Sequence, residues 1–306
     1  MVLAAGGVRL PTFAPRILLS RPAILPEGLT SWIAAFLFAG LVFLGVAGPR
    51  DPAENLLPLT IWVLVWVGLT LLQALFGNLW QDLSPWSGPV RSLRALLGRS
   101  GGIGLVRLGQ WPAVLGFLGF AWLEIISLAL PDPARLALVA GVYWLVIFTF
   151  AVLEGEDWLS KGEFLTVFFT YVAAIAPFWA QRDGRHLRVM AGLPGTQVLA
   201  MPALSVSAIA FVTLALASVS FDGLHETFRW VAAIGLNPLD YPGRSAVVGV
   251  NSAGLAGMWV LMAGLILLAA APLRRAVGGD GRALEETPCG KSSRLISQKI
   301  LPLCLT

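Results

Sequence analysis

The sequence predicts an all-α fold, a polytopic bundle of transmembrane helices with about seven spans. Composition is the first observation. Hydrophobic residues make up 57% of the 306 residues and charged residues only 12%, whereas a soluble domain carries about 25% charged residues. The second observation is that the apolar residues are gathered into stretches of about 20 residues, the length that an α-helix needs to cross a bilayer. We therefore expect the lipid bilayer to surround most of the chain.

Seven apolar stretches are separated by turn-forming or charged segments. The first ends at Pro49 and the second at Gly77 and Asn78, which are residues that stop helices. The third and fourth are joined by the short link PDPAR, so we expect these two to form an antiparallel hairpin. The stretches are residues 29–48, 57–76, 112–130, 134–153, 164–180, 198–218 and 252–272.

The chain divides by composition into three segments. Residues 1–28 are interrupted by prolines, residues 29–275 contain the apolar stretches, and residues 276–306 are polar without hydrophobic periodicity. We expect a polar N-terminal segment without a cleaved signal peptide, a transmembrane helical domain and a disordered C-terminal tail. An ending foreign to the rest of the chain is the alternative for the tail. Cys289 and Cys304 both lie in it, so no disulfide is expected between the helices.

The arginines favour a cytoplasmic N-terminus, because Lys and Arg are enriched in cytoplasmic loops. Those near the N-terminus and in loop 77–110 agree with this orientation. Three further crossings, however, would place Arg182, Arg185 and Arg188 outside. Either residues 164–180 do not cross the membrane fully, or the rule fails in the second half. The net charge of +4 is spread over the loops, which indicates membrane topology and no nucleic-acid partner.

The stretch FDGLHETFRW, residues 221–230, is unusually polar for this chain. Four of its residues would fall on one face of a helix, at spacings i, i+3, i+4 and i+7: Asp222, His225, Glu226 and Arg229. One interpretation is an acid–base or proton-handling site, in which Asp222 orients His225 and Glu226 holds or activates water. Arg229 would balance the carboxylates. The alternative is an amphipathic helix that lies in the membrane interface with its charges in water.

Glu124 lies inside the third apolar stretch. A carboxylate within hydrocarbon is costly unless it is paired, protonated or turned toward the bundle, so it indicates a functional site by default. The alternative is that the helix is shifted and Glu124 reaches an interface. A weaker polar stripe, formed by Glu163, Thr166 and Thr170, is explained adequately by contacts between helices.

The connection FGNLWQDLSPWSGP, residues 76–89, contains both aromatic and polar residues. Trp80 and Trp86 are typical of an aromatic belt at the headgroup level, and a belt followed by a turn is one interpretation. The functional alternative is a mouth that presents Asn78 and Asp82 to a cavity.

Four phrases together resemble a bacterial family of multi-pass membrane proteins named fenitrothion hydrolase. The resemblance covers about residues 30–270 and rests on FGNLWQDLSPWSGPVR, GQWPAVLGFLGFAWLEI, EGEDWLSKGEFLTVFF and SFDGLHETFRWVAAIGLNPLDYPGRSAV. It implies a protein of the bacterial inner membrane that hydrolyses an organophosphorus triester and releases a nitrophenol. The implied substrate is an apolar small-molecule ester that partitions into membranes. The resemblance assigns no catalytic residue.

Such a hydrolysis needs an activated water and stabilisation of the charge that develops on the phosphoryl oxygen. With only His186 and His225 in the chain, a His-rich binuclear metal centre is excluded. A carboxylate-dominated site remains open, formed by Asp222, Glu226, His225 and Glu124. A site without metal would use His225 as the base, with Arg229 or Arg244 as an electrostatic clamp. The sequence leaves the metal requirement, any cofactor and the oligomeric state open.

A membrane transporter or a subunit of a transport complex is the alternative function. Glu124 and the polar stretch around Asp222 would then handle ions or protons. A third possibility is a subunit whose apolar faces bind a partner within the membrane.

Overall fold

Apolar helices dominate the structure, a computed structural model that describes residues 15–22, 28–127, 132–183, 186–237 and 244–283. Five helical segments in the described ranges are long and apolar enough to cross a membrane: Leu29–Ala47, Leu56–Phe76, Pro133–Glu154, Val206–His225 and Ala246–Ala269. Two further apolar helices, Trp111–Ile125 and Phe164–Ala173, are shorter. The prediction of a helical membrane protein is confirmed.

The helices are numbered in chain order and are joined by short loops. A π-helical segment, Leu59–Leu69, lies inside α2, and short 3₁₀ turns lie at Leu105–Leu108 and Glu156–Trp158. The helices are α1 (Leu29–Ala47), α2 (Leu56–Phe76), α3 (Trp80–Leu83), α4 (Ser87–Leu96), α5 (Trp111–Ile125), α6 (Pro133–Glu154), α7 (Leu159–Gly162), α8 (Phe164–Ala173), α9 (Thr196–Ala200), α10 (Val206–His225), α11 (Phe228–Ala233) and α12 (Arg244–Ala283).

Side-chain caps define where several helices begin. Asn55 accepts a hydrogen bond from the backbone N–H of Leu57 at 3.0 Å and so caps α2. Its amide also donates to the carbonyls of Leu44 (3.1 Å) and Pro49 (2.8 Å), which ties the end of α1 to the start of α2. Asp132 caps α6 in the same way. Because a cap satisfies N–H groups that have no partner within the helix, each one fixes a helix start.

Aromatic packing forms the core that positions α5, α8 and α10. The ring centroid of Phe117 on α5 lies 6.0 Å from that of Phe164, 5.9 Å from Phe168 and 5.3 Å from Phe211. A second core joins α3, α4, α6 and α8 and consists of Trp80, Trp86, Val90, Ile147, Ala151, Val152, Trp158, Leu159 and Phe169. Within a bilayer such contacts stabilise helix association through van der Waals packing.

A three-stranded antiparallel sheet corrects the all-α prediction. Its order is β1–β3–β2, formed by Arg16–Pro22, His186–Ala191 and Phe178–Asp183. The prediction of one continuous spanning helix over residues 164–180 is therefore wrong, because helix α8 ends at Ala173 and β2 begins at Phe178. Pro177 precedes that strand, and proline lacks the N–H that a continuing helix needs.

The predicted boundaries differ from the observed ones at three further places. The third stretch was expected to reach residue 130, but α5 ends at Ile125. The sixth begins later and runs further, over Val206–His225. By internal contacts the chain forms two units, Met1–Trp259 and Val260–Thr306. The seventh stretch was expected to end at residue 272, but α12 continues to Ala283 in the second unit. Most of the predicted tail lies outside the described residues.

Candidate functional site

The polar stretch predicted as one helix is divided between two. α10 runs through Asp222 and ends at His225, and α11 begins at Phe228. Thr227 causes the break, because its hydroxyl accepts the backbone N–H of Trp230 at 3.2 Å and caps the new helix. The prediction that Arg229 shares a helix face with the other three residues is therefore wrong.

His225 has a defined orientation at the end of α10. Its Nδ1 lies 2.8 Å from the backbone carbonyl oxygen of Asp222. A carbonyl can only accept a hydrogen bond, so Nδ1 carries a hydrogen, and in the neutral ring the free lone pair is on Nε2. Nε2 lies 3.9 Å from Oε1 of Glu226. The side chain of His225 is only 10% exposed, whereas those of Asp222 and Glu226 are 62% and 77% exposed.

Glu124 lies near the same end of the bundle as His225. The side chain of Trp66 is a near neighbour of Glu124, and Asp222 is close enough to act on the Glu124 carboxyl electrostatically. At the opposite end of α5, the backbone N–H of Gln110 donates to the Ser207 hydroxyl at 3.0 Å. α5 and α10 therefore run in the same direction, which brings Glu124 toward Asp222.

These residues do not form a metal centre. Across the described ranges, no group of three or more His, Cys, Asp or Glu side chains is arranged to hold an ion. The side chain of Arg244, the alternative clamp, lies outside what is described. His186 lies on β3, away in sequence from the helices that carry His225 and Glu124.

A second cluster surrounds Glu163, which is fully buried. The hydroxyl of Tyr143 donates to Oε1 at 2.7 Å, and the backbone N–H of Leu165 donates to the same atom at 2.8 Å. The backbone N–H and the hydroxyl of Thr166 both donate to Oε2 at 2.6 Å. A carboxylate that accepts four hydrogen bonds keeps its charge at a cost much smaller than an unpaired one.

The Glu163 cluster lies deep in the bundle. Tyr143 is at the midpoint of the 22-residue helix α6, and Glu163 is the N-cap of α8. Two residues that follow α2 connect to it. Trp80, the first residue of α3, donates to the Thr166 hydroxyl at 3.2 Å, and Asn78 in the preceding loop donates to that of Thr170 at 3.3 Å. Glu163, Thr166 and Thr170, which the sequence analysis explained by contacts between helices, thus belong to a hydrogen-bonded cluster.

An apolar cavity of about 850 Å³ lies beside this cluster. The π-helical segment of α2 forms one wall with Thr60, Trp62 and Trp66, and α1, α5 and α6 supply most of the rest. π-helical turns are rare and are frequent at functional sites. Tyr143 belongs to the lining, so the cavity reaches the residue that bonds Glu163.

A second, more polar cavity of about 500 Å³ is lined in part by Thr166 of this cluster. Asn78 and Asp82 both line it, as the mouth interpretation of residues 76–89 predicted. Arg91 and Glu156, which also line it, form a two-bond ion pair with both N···O distances at 3.0 Å. The remaining polar groups of the wall include Gln81, Ser84, Asp157, Ser160, Thr166 and Arg182.

Side chains join the walls of the two cavities. Trp80 lines both of them. A hydrogen-bonded series runs from Tyr143 in the apolar wall through Glu163 to Thr166 in the polar wall. The sequence analysis predicted Glu124 as a functional residue and did not predict Glu163, although one feature of the sequence marks Glu163 as a helix cap. A carboxylate directly before an apolar run can accept the free backbone N–H groups at the start of a helix, as Glu163 does.

No family model, curated protein or solved structure matches the chain. The likeness to the fenitrothion hydrolase family therefore stays a prediction from the four sequence phrases.

Proposed function

We propose that this chain is a transport protein of the bacterial inner membrane, or a subunit of one, that takes an apolar small molecule from the bilayer. The observation that carries the proposal is the hydrogen-bonded series Tyr143–Glu163–Thr166, which joins an apolar cavity to a polar one. Ionisable groups buried at membrane depth mark substrate and ion pathways. The alternative function predicted from the sequence is thus the one that the geometry favours.

The rim of the apolar cavity supports entry from the lipid. Leu37, Leu64 and Leu115 line the cavity, and their exposed fractions are 65%, 64% and 68%. Exposed leucines on membrane helices face lipid tails, which are as apolar as the side chains themselves. A molecule dissolved in the bilayer would therefore reach the cavity without crossing a polar barrier.

We infer that α7 and α8 form a re-entrant segment, which returns to the face from which it enters. α8 has 10 residues, or about 15 Å of helix, which is half of a hydrocarbon core of about 30 Å. Its N-cap, Glu163, bonds the midpoint of α6. Six helices would then cross fully, and Arg182 and Arg188 would share a face with Arg91, in agreement with the positive-inside rule.

Half-helices of this kind are typical of transporter binding sites. In such proteins an interrupted helix places its terminus, and the groups that cap it, near the bilayer midplane. Glu163 at the start of α8 has that position relative to α6.

Binding to the apolar cavity is testable by tryptophan fluorescence. Five tryptophans that line it serve as reporters, namely Trp62, Trp66, Trp80, Trp86 and Trp122. A nitroaryl organophosphorus triester is a suitable quenching probe. Gly119 lines the cavity, and a Cβ at this position meets no atom within 4 Å. Gly119→Leu should fill space without a clash and weaken binding at least tenfold, if about 1.4 kcal/mol of ligand contact is lost.

Gly40 provides the matched control. It lies on α1, a Cβ there also meets no atom within 4 Å, and it is not part of the cavity lining. Gly40→Leu should bind the probe as the parent does. In proteoliposomes the parent should also transfer the probe to acceptor vesicles faster than Gly119→Leu. Equal binding and equal transfer by the parent and Gly119→Leu would refute the proposed function.

Hydrolysis of an organophosphorus triester is the second candidate, and the orientation of His225 favours it. The hydrogen on Nδ1 is held by the Asp222 carbonyl, which leaves Nε2 free to act as a general base. General acid–base assistance contributes about 10²- to 10⁴-fold in rate. Purified protein should then release nitrophenol, and His225→Gln should lower that rate at least a hundredfold. If His225→Gln and Glu226→Gln both hydrolysed the ester within about threefold of the parent rate, the change in barrier would be under 1 kcal/mol. The catalytic interpretation would then fall, and the interpretation as an interfacial helix would stand.

A further inference from the structure

We propose that Tyr143 and Glu163 form a proton-operated switch. When Glu163 takes up a proton from the polar cavity, the hydroxyl of Tyr143 is released to donate a hydrogen bond to a ligand in the apolar cavity. This inference rests on the proposed function and deepens it. It names the proton as the coupled ion, and it defines the ligand as an apolar molecule that carries an accessible oxygen acceptor.

The hydrogen bonds of the charged state commit the Tyr143 hydroxyl to Glu163. The hydroxyl has a single hydrogen, and that hydrogen lies on the 2.7 Å bond to Oε1. Its oxygen faces a second donor, the backbone N–H of Phe164 at 3.4 Å. Among the described hydrogen bonds, Oε1 is therefore the only acceptor available to Tyr143. A ligand cannot compete easily, because a bond to a carboxylate is about twice as strong as one to a neutral oxygen.

Protonation changes this balance at Oε2. That oxygen is 2.6 Å from the Thr166 hydroxyl, and Thr166 lines the polar cavity. A hydronium ion in the polar cavity would supply the proton: the Thr166 hydroxyl passes its own hydrogen to Oε2 and takes one from the hydronium, which is left as water. The new carboxyl O–H then donates to the Thr166 oxygen. Oε1 becomes a neutral carbonyl oxygen that keeps the Leu165 N–H, so its hold on Tyr143 weakens.

The surroundings of Glu163 make it the group that takes the proton. α6 contributes Tyr143, α8 contributes the Thr166 hydroxyl, and α3 contributes the indole of Trp80, which bonds Thr166. α5 reaches this region with aromatic rings, those of Phe117 and its neighbours. Tyr143 is the only titratable partner of Glu163 in the hydrogen bonds described, and no ion pair with it is found among the same residues.

A second donor in the same cavity agrees with an oxygen-bearing ligand. The indole N–H of Trp62 is buried and has no hydrogen-bond partner among the described residues, and Trp62 lines the apolar cavity. A buried donor without a partner is costly. One ligand oxygen at this point would satisfy it, and the released Tyr143 hydroxyl would supply a further donor.

Binding of a nitroaryl phosphate triester to the full chain in nanodiscs tests the switch. Tryptophan quenching measured between pH 5 and pH 9 should give a dissociation constant at least tenfold lower at acidic pH. In a weakly buffered solution with an indicator dye, probe binding at neutral pH should take up protons from solution. Glu163→Gln mimics the neutral state, so it should bind at the acidic-pH affinity of the parent at every pH and take up none.

Tyr143→Phe should abolish the gain in affinity at acidic pH, because no hydroxyl is left to release. Tyr171→Phe is the matched control, since Tyr171 bonds Gln110 at 3.0 Å and is not part of the apolar lining; it should behave as the parent. Proton uptake by the parent needs no variant and decides the matter even where Glu163→Gln fails to fold. Binding without pH dependence or proton uptake would overturn the switch while leaving the proposed function intact. Absence of binding at every pH would overturn both.

Discussion

The hydroxyl of Tyr143 donates a 2.7 Å hydrogen bond to Oε1 of Glu163, and this contact joins the midpoint of α6 to the first turn of α8. The two residues are separated by the second half of α6, the 3₁₀ turn Glu156–Trp158 and helix α7. Without a polar partner at that depth, a carboxylate would be expelled or neutralised. The pair thus explains why α8 can begin inside the bundle.

Glu163→Leu is expected to destabilise the protein strongly. It removes the cap of α8, which contributes about 1 kcal/mol, and it leaves the donors of Tyr143, Leu165 and Thr166 without their acceptor, at about 1–3 kcal/mol for each buried group. Thermal denaturation in detergent should show a much lower midpoint. Glu226→Leu is the control, because that side chain is 77% exposed and its loss should change the stability by no more than about 0.5 kcal/mol.

Glu163→Gln separates the charge from the hydrogen bonds. Glutamine keeps one acceptor oxygen for Tyr143 and Leu165 and supplies an amide group toward Thr166. Its midpoint should lie between those of the parent and Glu163→Leu. If glutamine were as damaging as leucine, the negative charge itself would hold α8 in place.

Glu124 remains a predicted functional residue, and its substitution is informative in both directions. Glu124 lies next to the side chain of Trp66, which lines the apolar cavity. Glu124→Leu should weaken probe binding or nitrophenol release, because it removes a half-buried carboxylate, and Glu124→Gln, which keeps the shape and one acceptor oxygen, should have the smaller effect. If Glu124→Leu left folding, probe binding and nitrophenol release unchanged or improved, the functional interpretation of Glu124 would be abandoned.

The membrane class and most of the helices were predictable from the sequence because they depend on composition and length. The short helix in the fifth stretch was not predictable. Residues 164–180 are almost uniformly apolar, and the change from helix to strand at Pro177 depends on pairing with β3. The strand Arg16–Pro22 was equally hidden. Its partners lie more than 150 residues away, and a single sequence does not reveal that pairing.

The candidate site was predictable in part for a related reason. One of the two interpretations of residues 76–89 placed Asn78 and Asp82 at a cavity because of their position in a loop after a helix, and both residues line one. Glu163 was undervalued because its threonine neighbours resemble ordinary helix contacts. Its importance depends on Tyr143, which is 20 residues earlier and has no local pattern that marks it.

Gly77→Val is expected to disrupt the junction between α2 and the sheet. Gly77 has φ +80, and a Cβ there would lie 2.7 Å from the Cβ of Trp179 on β2. A branched residue in this conformation costs about 1–3 kcal/mol before any clash, and the clash adds to it. Expression and the thermal midpoint should both fall. Gly98→Val tests conformation alone, because Gly98 has φ +61 with nothing within 4 Å, and it should be milder.

The last prediction concerns the membrane topology. If α7 and α8 are re-entrant, single cysteines placed at Arg182 and Arg99 should react with an impermeant maleimide from the same side of the membrane. Cys289 and Cys304 would first be replaced by serine, and a cysteine at Asp51, in the loop between α1 and α2, should react from the opposite side. Both α5 and α6 separate Arg99 from Arg182, so two full crossings return the chain to its starting face. A third crossing by α8 would place Arg182 with Asp51 instead. Labelling of Arg182→Cys together with Asp51→Cys would therefore refute the re-entrant arrangement and restore seven spans.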